Sequence, residues 1–334
     1  MQFQLQPDIR PLDRGIRYTD RILLMGSCFT EHIGDALAAM KFRTLRNPNG
    51  ILFSPDAVCR AIDSYLDDRG NGEPELFLLE EVWHSWQHHS RFSHTDRDTS
   101  VAGIHASRKK AHDFLREAEW LILTFGSSFF YSLTPDAAGG LPGTPVANCH
   151  RAPASWFSRR MLEIVEITEL LEHCLLRLRE VNPACNVLFT ISPVRHIRDG
   201  VVDNNRSKAR LIEAVHALVA RHPNCFYFPA YELVVDVLRD YRFYDIDLVH
   251  PNYAATEFVM EQFMAACVDS ETREILQRLK PLVLARKHRP LHPGTRAQAR
   301  FMETNLEKAL ALQEQYPFLD LQEEIDYFAG RKGS

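Results

Sequence analysis

At 334 residues, 45% of them hydrophobic, the chain is long enough to bury a large core as one large or two ordinary domains. Its 39 Lys and Arg against 44 Asp and Glu leave a formal charge of −5 without a long basic run, which argues against nucleic acid as a partner. No apolar stretch reaches the length of a membrane span, and the first residues lack the basic region and apolar segment of a secretory signal. No membrane association and a cytoplasmic location are therefore expected. The seven cysteines are odd in number, scattered and without a Cys-x-x-Cys pair, and read as reduced core thiols.

In chain order, Arg21 to Gly26 reads as a short buried strand, and Ile33, Leu37 and Met40 recur at helical spacing after it. Ser27 and Cys28 then lie on a strand-to-helix turn. Lys41 to Leu45 suggests a second strand, Asn47-Pro-Asn-Gly50 a turn, and Pro55 the start of a helix carrying Ala57, Val58, Ile62 and Tyr65 on one face. Asp67 to Glu75 reads as a surface loop. Glu81 to His94 packs four histidines and two tryptophans into fourteen residues. Three readings stand side by side: a metal site with His84 and His88 on one helical face, a substrate wall, or a partly buried aromatic loop.

Ala102 to Ala118 is predicted helical and leads into Trp120 to Gly126, an apolar run expected as a central parallel strand. Ser155 to Asn182 is expected as one long helix with a stripe at Ile164, Ile167, Leu171, Leu175 and Leu178. Asn186 to Ile191 is the next strand, Asn204 to Arg221 a helix, Cys225 to Phe228 the last strand, and Pro229 to Arg239 helical. This alternation predicts an α/β fold, a parallel sheet with helices on both faces. Because ligands bind beyond the carboxyl ends of such strands, Gly126, Ser127 and Ser128 share a crevice with Ser27, and Arg195 or His196 could touch a substrate anion there, Arg195 being the candidate contact kept. Beyond Phe263 the pattern is helical, Asp269 to Leu284 and Thr295 to Gln315 flanking the basic, Pro-containing Arg286 to Gly294. Residues 1–268 are thus expected as the catalytic domain. Residues 269–334 are expected as a helical extension that packs on it or on a second subunit of a homo-oligomer.

Two ends of this pattern carry chemistry. At a strand-to-helix turn Ser27 stands clear of the sheet edge, with the first free N–H groups of the helix beside it for an oxyanion. Asp247 and His250 are three residues apart before the last helix of the pattern, with Pro251 suiting its first position. There the carboxylate can accept the imidazole Nδ1–H and leave Nε2 to take a proton from a serine. Cys28 is a competing nucleophile.

Gly26-Ser27-Cys28-Phe29 together with Asp247-x-x-His250-Pro251-Asn252 resembles the GSCFA family, which is grouped with the SGNH (GDSL-like) esterases and the PC-esterase domains. Further stretches resemble it: Trp83-His84-Ser85-Trp86, Leu123 to Gly126, Asn148-Cys149-His150, Ser192 to His196 and Ser207-Lys208-Ala209. The likeness runs from about Gly26 to Phe263 and departs at Thr30, where the family has Ala. It implies a flavodoxin-like three-layer α/β/α sandwich and serine-dependent acyl-ester chemistry, without a metal or other cofactor. The resemblance also implies that Gly126 N–H and an asparagine amide join the oxyanion site. Asn148 is the substitute available here, and it could equally be a helix cap or Asx turn.

The resulting expectation is a serine esterase or acyltransferase, an O-acetyl esterase for a small or carbohydrate-like ester. Ser27, Asp247 and His250 form its triad, with Ser27, Gly126 and Asn148 at the oxyanion. The resemblance strengthens Trp83, His84, Trp86 and His88 as a substrate wall beside Arg195. The alternatives are a metal-dependent hydrolase built on the histidines from His84 to His94, and a non-catalytic ligand-binding protein.

Overall fold

A computed structural model gives the fold, and it describes residue 5 and residues 7–67, 74–287 and 294–331. Most of the expected 67–75 loop, part of the basic 286–294 segment and the extreme start of the chain lie outside the described residues. The chain divides into two compact units, one of residues 1–9, 21–34 and 44–260, the other of residues 10–20, 35–43 and 261–334.

The first unit is built on a sheet of five parallel strands, β1 (Arg21–Gly26), β2 (Arg43–Arg46), β5 (Trp120–Phe125), β9 (Asn186–Ile191) and β10 (Cys225–Tyr227). Their order across the sheet is β10-β9-β5-β1-β2, and helices flank it in a three-layer α/β/α arrangement. Strands β1, β5 and β9 are apolar and buried on both faces, as central parallel strands must be. Leu23 registers with Leu121, and Leu121 with Val187. One sheet face, made by Leu23, Met25, Leu121, Leu123, Phe125, Val187, Phe189 and Ile191, shares a core with four helices. They are α2 (Pro55–Leu66), α3 (Arg97–Leu115), α4 (Ile164–Val181) and α5 (Val201–Arg221). Ser54 caps α2 by accepting from Ala57 N–H, with Pro55 opening the helix as its fixed φ favours. The direction of strand order reverses between β1 and β5, so the crevice beyond their ends is where such a fold places a ligand.

One long expected helix is two elements. Phe157–Met161 forms strand β8, antiparallel to β6 (Phe129–Leu133), which also pairs with β7 (Pro145–Val146), and α4 starts only at Ile164. The physical reason lies in partners distant in sequence: Arg159 stacks over the Phe129 ring and pairs with Asp199. A two-stranded ribbon, β3 (Phe77–Leu79) with β4 (Val82–His84), completes the unit's strands among the described residues. Toward its end, α6 (Ala230–Glu232) runs into π-helical turns at Leu233–Leu238, and α7 spans Tyr253–Cys267. Helix α1 spans Cys28–Ala39.

In the second unit, α8 (Ser270–Lys287), α9 (Arg296–Gln315) and α10 (Gln322–Phe328) are accompanied by the segment 10–20, whose Ile16 bridges Val268. The fully buried Glu324 meets Lys41 Nζ at 3.0 Å and Arg286 Nε at 3.1 Å. Pairing of this kind is what a buried carboxylate requires. Among the described residues, no helix is long and apolar enough to cross a membrane.

Candidate active site

Gly26 ends β1 with φ +141°, and a Cβ there would collide with the Thr124 carbonyl oxygen, so only glycine fits this close approach. Its N–H donates to Asn47 Oδ1 at 2.9 Å. The next residue, Ser27, is 1% exposed, and its Oγ has no hydrogen-bond partner among the described residues. Cys28 starts α1 and lines a cavity of about 670 Å³. Also in that lining are Phe53, Ser127, Tyr131, Asn148, Arg195, His196, Asp247 and His250.

The Asp-x-x-His pair is formed. Asp247 Oδ2 accepts the His250 Nδ1–H at 2.6 Å, while Oδ1 accepts the N–H groups of Val249 and His250 at 2.9 and 3.0 Å. These bonds hold the exposed Asp247 carboxyl down at about 2. Leu248, at φ +59°, makes the tight bend that brings Asp247 back over His250. The helix cap lies two residues later than expected. Asn252, not the residue before Pro251, caps α7 by accepting from Ala255 N–H, and Pro251 bridges Tyr244 instead.

The expected oxyanion donors need correction at two of three positions. Ser27 N–H donates to Thr124 O at 3.1 Å, and Gly126 N–H to Phe53 O at 2.8 Å. Ser127 N–H also donates to Phe53 O, at 3.1 Å, and Leu52 N–H donates to Gly26 O. The 52–53 backbone is thus laid across the ends of β1 and β5 and takes up the Gly126 and Ser127 N–H groups, while Thr124 O takes that of Ser27. Asn148 does line the cavity. Its Oδ1 accepts from His150 N–H at 3.0 Å in an Asx turn, which leaves Nδ2 as its donor.

Other expected contacts fall elsewhere. Trp83, His84, Trp86 and His88 are not in the lining of this cavity. His84 and His88 do not share a helix, because His84 ends β4 and a turn follows. Trp86 is buried, stacked on Phe77 at 3.6 Å with its indole N–H on Gly139 O, in a small core of its own. It reaches the site through its backbone, its carbonyl accepting the N–H groups of Ala147 and Asn148. The histidine rings are taken locally, His84 Nδ1 by Ser93 Oγ and His88 Nδ1 by Ser85 Oγ. Among the described residues no group of three or more His, Cys, Asp or Glu is arranged to hold a metal ion. Arg195 does line the cavity, with its guanidinium over the Tyr244 ring at 4.4 Å and its N–H on Val249 O, so it also holds the loop bearing His250.

Two further residues stand at these strand ends. Lys208 of α5 is buried and donates to Gly126 O at 2.6 Å and Ser192 O at 2.7 Å, tying together the ends of β5 and β9. Burial pulls its ammonium down to about 7. His196 hydrogen-bonds through its backbone N–H to Asn204 Oδ1, sets its ring edge-on to Phe53, and leaves a buried Nε2 without a partner among the described residues. Burial, with Lys208 and His250 nearby, pushes this imidazole down to about 4, so it is neutral at pH 7. Ser192 to His196 and Ser207-Lys208 were visible as short motifs, but only the folded chain brings them to one strand end.

A serine at the switch point of a parallel sheet, with an aspartate-oriented histidine in the adjoining cavity, defines an α/β/α protein whose site lies at the carboxyl ends of its strands. The chain belongs to the GSCFA family: the family model matches residues 21–263, and the model for the C-terminal domain of GSCFA domain proteins matches residues 279–331. A comparison with curated proteins finds no match.

Proposed function

We propose that this protein is a serine-dependent acyl-ester hydrolase or O-acyltransferase of the SGNH kind, acting on a small or carbohydrate-like O-acyl ester. The observation that carries the reading is the 2.6 Å hydrogen bond from His250 Nδ1 to Asp247, in a cavity whose wall includes Cys28, the neighbour of Ser27. That bond fixes the tautomer with Nε2 unprotonated and ready to act as a base.

Ser27 Oγ attacks the ester carbonyl carbon, its proton passing to His250 Nε2 as the carbonyl π pair moves onto oxygen. The resulting anion collapses, the C–O bond to the leaving alcohol breaks, and the alcohol takes the proton from His250. Water or an acceptor hydroxyl then gives its proton to His250, attacks the acyl-serine, and releases Ser27 with its hydrogen restored. Asp247 stabilises the imidazolium in both halves. Catalytic hydrogen bonds are often long or unmade without substrate and tighten when it binds. A cavity of about 670 Å³ is of the size that takes a small organic ester.

The test is a fluorophosphonate, which phosphonylates an activated serine and stays attached. Intact mass with peptide mapping is expected to find one adduct, on Ser27, in step with loss of aryl acetate hydrolysis. The buried Ser27 Oγ, unpartnered among the described residues, favours one other reading, a ligand-binding protein on the same fold. An intact protein that gives no adduct anywhere would select it.

A further inference from the structure

Gly126 has no side chain where one would separate Ser27 from His196. A Cβ there would come within 3.1 Å of His196 Nε2, 3.2 Å of Phe53 Cδ1 and 3.5 Å of Ser27 Cβ. Ser27 Cβ and His196 Nε2 therefore border the same small gap, and the polar atoms of both side chains, Ser27 Oγ and His196 Nε2, are buried without a hydrogen-bond partner among the described residues. Buried polar groups are nearly always paired, so two such atoms at one strand end mark a place where a ligand oxygen completes the bonding.

The backbone cannot supply the donors, because Ser27 N–H is held by Thr124 O and Gly126 N–H by Phe53 O. We infer that His196 is a catalytic residue of the reaction proposed above, its Nε2–H donating to the acyl oxygen as the tetrahedral anion forms at Ser27. The inference rests on that reading and adds a side-chain donor that neither the Gly-Ser turn nor the Asp-x-x-His pair contains. No proton is transferred in this step: the carbonyl π pair moves to oxygen, the Ser27 proton goes to His250, and His196 keeps its own. An imidazole that stays neutral across the working range suits this role, because it donates strongly without titrating away. Its orientation is set by the Asn204 bond to its backbone and by the Phe53 ring.

The experiment compares wild type, His196→Gln and His196→Leu for fluorophosphonate labelling at Ser27 and for kcat and KM with an aryl acetate. His196→Leu is expected to label and turn over about 100- to 1,000-fold more slowly with KM nearly unchanged, while His196→Gln, which keeps an N–H donor, recovers most of the rate. The acid side of the rate profile stays where it is in wild type, since the lost group does not titrate there. Wild-type labelling by His196→Leu, or a Gln variant as slow as Leu, overturns the role. Should the Leu variant fail to fold, Gly126→Ala decides. Its methyl group between Ser27 and His196 is expected to cause a comparable loss, and a wild-type rate overturns the role. If wild type itself is never labelled at Ser27, the serine reading falls and this role with it. Labelled wild type with an unaffected His196→Leu removes the role alone.

Discussion

Asp247 grips His250 twice, its Oδ2 accepting from the ring Nδ1–H at 2.6 Å and its Oδ1 from the backbone N–H of the same residue at 3.0 Å. Replacing the carboxylate by an amide in Asp247→Asn puts a donor where an acceptor is needed and favours the wrong tautomer. Turnover of an aryl acetate is expected to fall by about 10³- to 10⁴-fold. The unfolding midpoint should barely move, because the pair is exposed. Asp247 ionises at about 2 in the folded chain, below the ordinary carboxyl value of 3.8, so what it adds to stability is intact above pH 4 and fades as pH falls through about 2. A fall in rate between pH 4 and 7 therefore belongs to another group, and an unimpaired Asp247→Asn removes the dyad from the mechanism.

Ser27 and Cys28 are adjacent nucleophiles at the start of α1. Burial raises the Cys28 thiol, outweighing the Cys28 and Phe29 N–H groups that favour its thiolate, so a thiol stands there at neutral pH. Ser27→Ala should abolish turnover and fluorophosphonate labelling together, whereas Cys28→Ala should keep both within a few-fold of wild type. The opposite pattern assigns the chemistry to sulfur.

Lys208 predicts a dependence of stability on alkaline pH. The unfolded chain holds this proton to about 10.5 and the folded chain only to about 7, so between those values the unfolded state binds more protons. Stability then rises with pH across that window, by up to about 1.4 kcal/mol per unit from this group. Lys208→Met removes that contribution and also leaves the Gly126 and Ser192 carbonyls without their donor, at about 1–3 kcal/mol each. Urea midpoints at pH 7.5 and 9.5 test this, and an equal pH difference in the two proteins contradicts it.

Trp86 supports the Asn148 turn through its backbone carbonyl without lining the cavity itself. Trp86→Ala is expected to cost about 3–5 kcal/mol as the Phe77 stack is lost. Trp86→Phe should keep most of the stability. Its backbone contact to Asn148 survives, so its KM should stay near wild type; a tenfold rise in KM would instead mean that the indole reaches the substrate.

The parts of this fold legible in the sequence are those whose signal is local. The apolar runs within Arg21–Gly26, Trp120–Phe125 and Asn186–Ile191 each became a central strand of the sheet, because a strand buried on both faces needs no alternation to announce it. The Asp247 to His250 pair closes within four residues, so its geometry follows from its spacing. What stayed hidden depends on distant partners. Phe157–Met161 is a strand because Phe129–Leu133 lies beside it, a context effect that outweighs intrinsic preference. Trp86 looked like a stacking platform, yet Phe77 had already taken its face. The Phe53 carbonyl could not be foreseen as the acceptor of two strand-end N–H groups, and without that contact the crevice argument left His196 only as an alternative to Arg195 for touching a substrate anion.

Cys28, half-buried in the cavity wall, bears on how inhibition would be interpreted. An alkylating reagent that adds a group to its sulfur would fill part of the cavity and is expected to slow turnover, mainly at alkaline pH where the thiolate appears. Inactivation by iodoacetamide would therefore imitate a cysteine hydrolase, and protection by a competing ester would deepen the misreading.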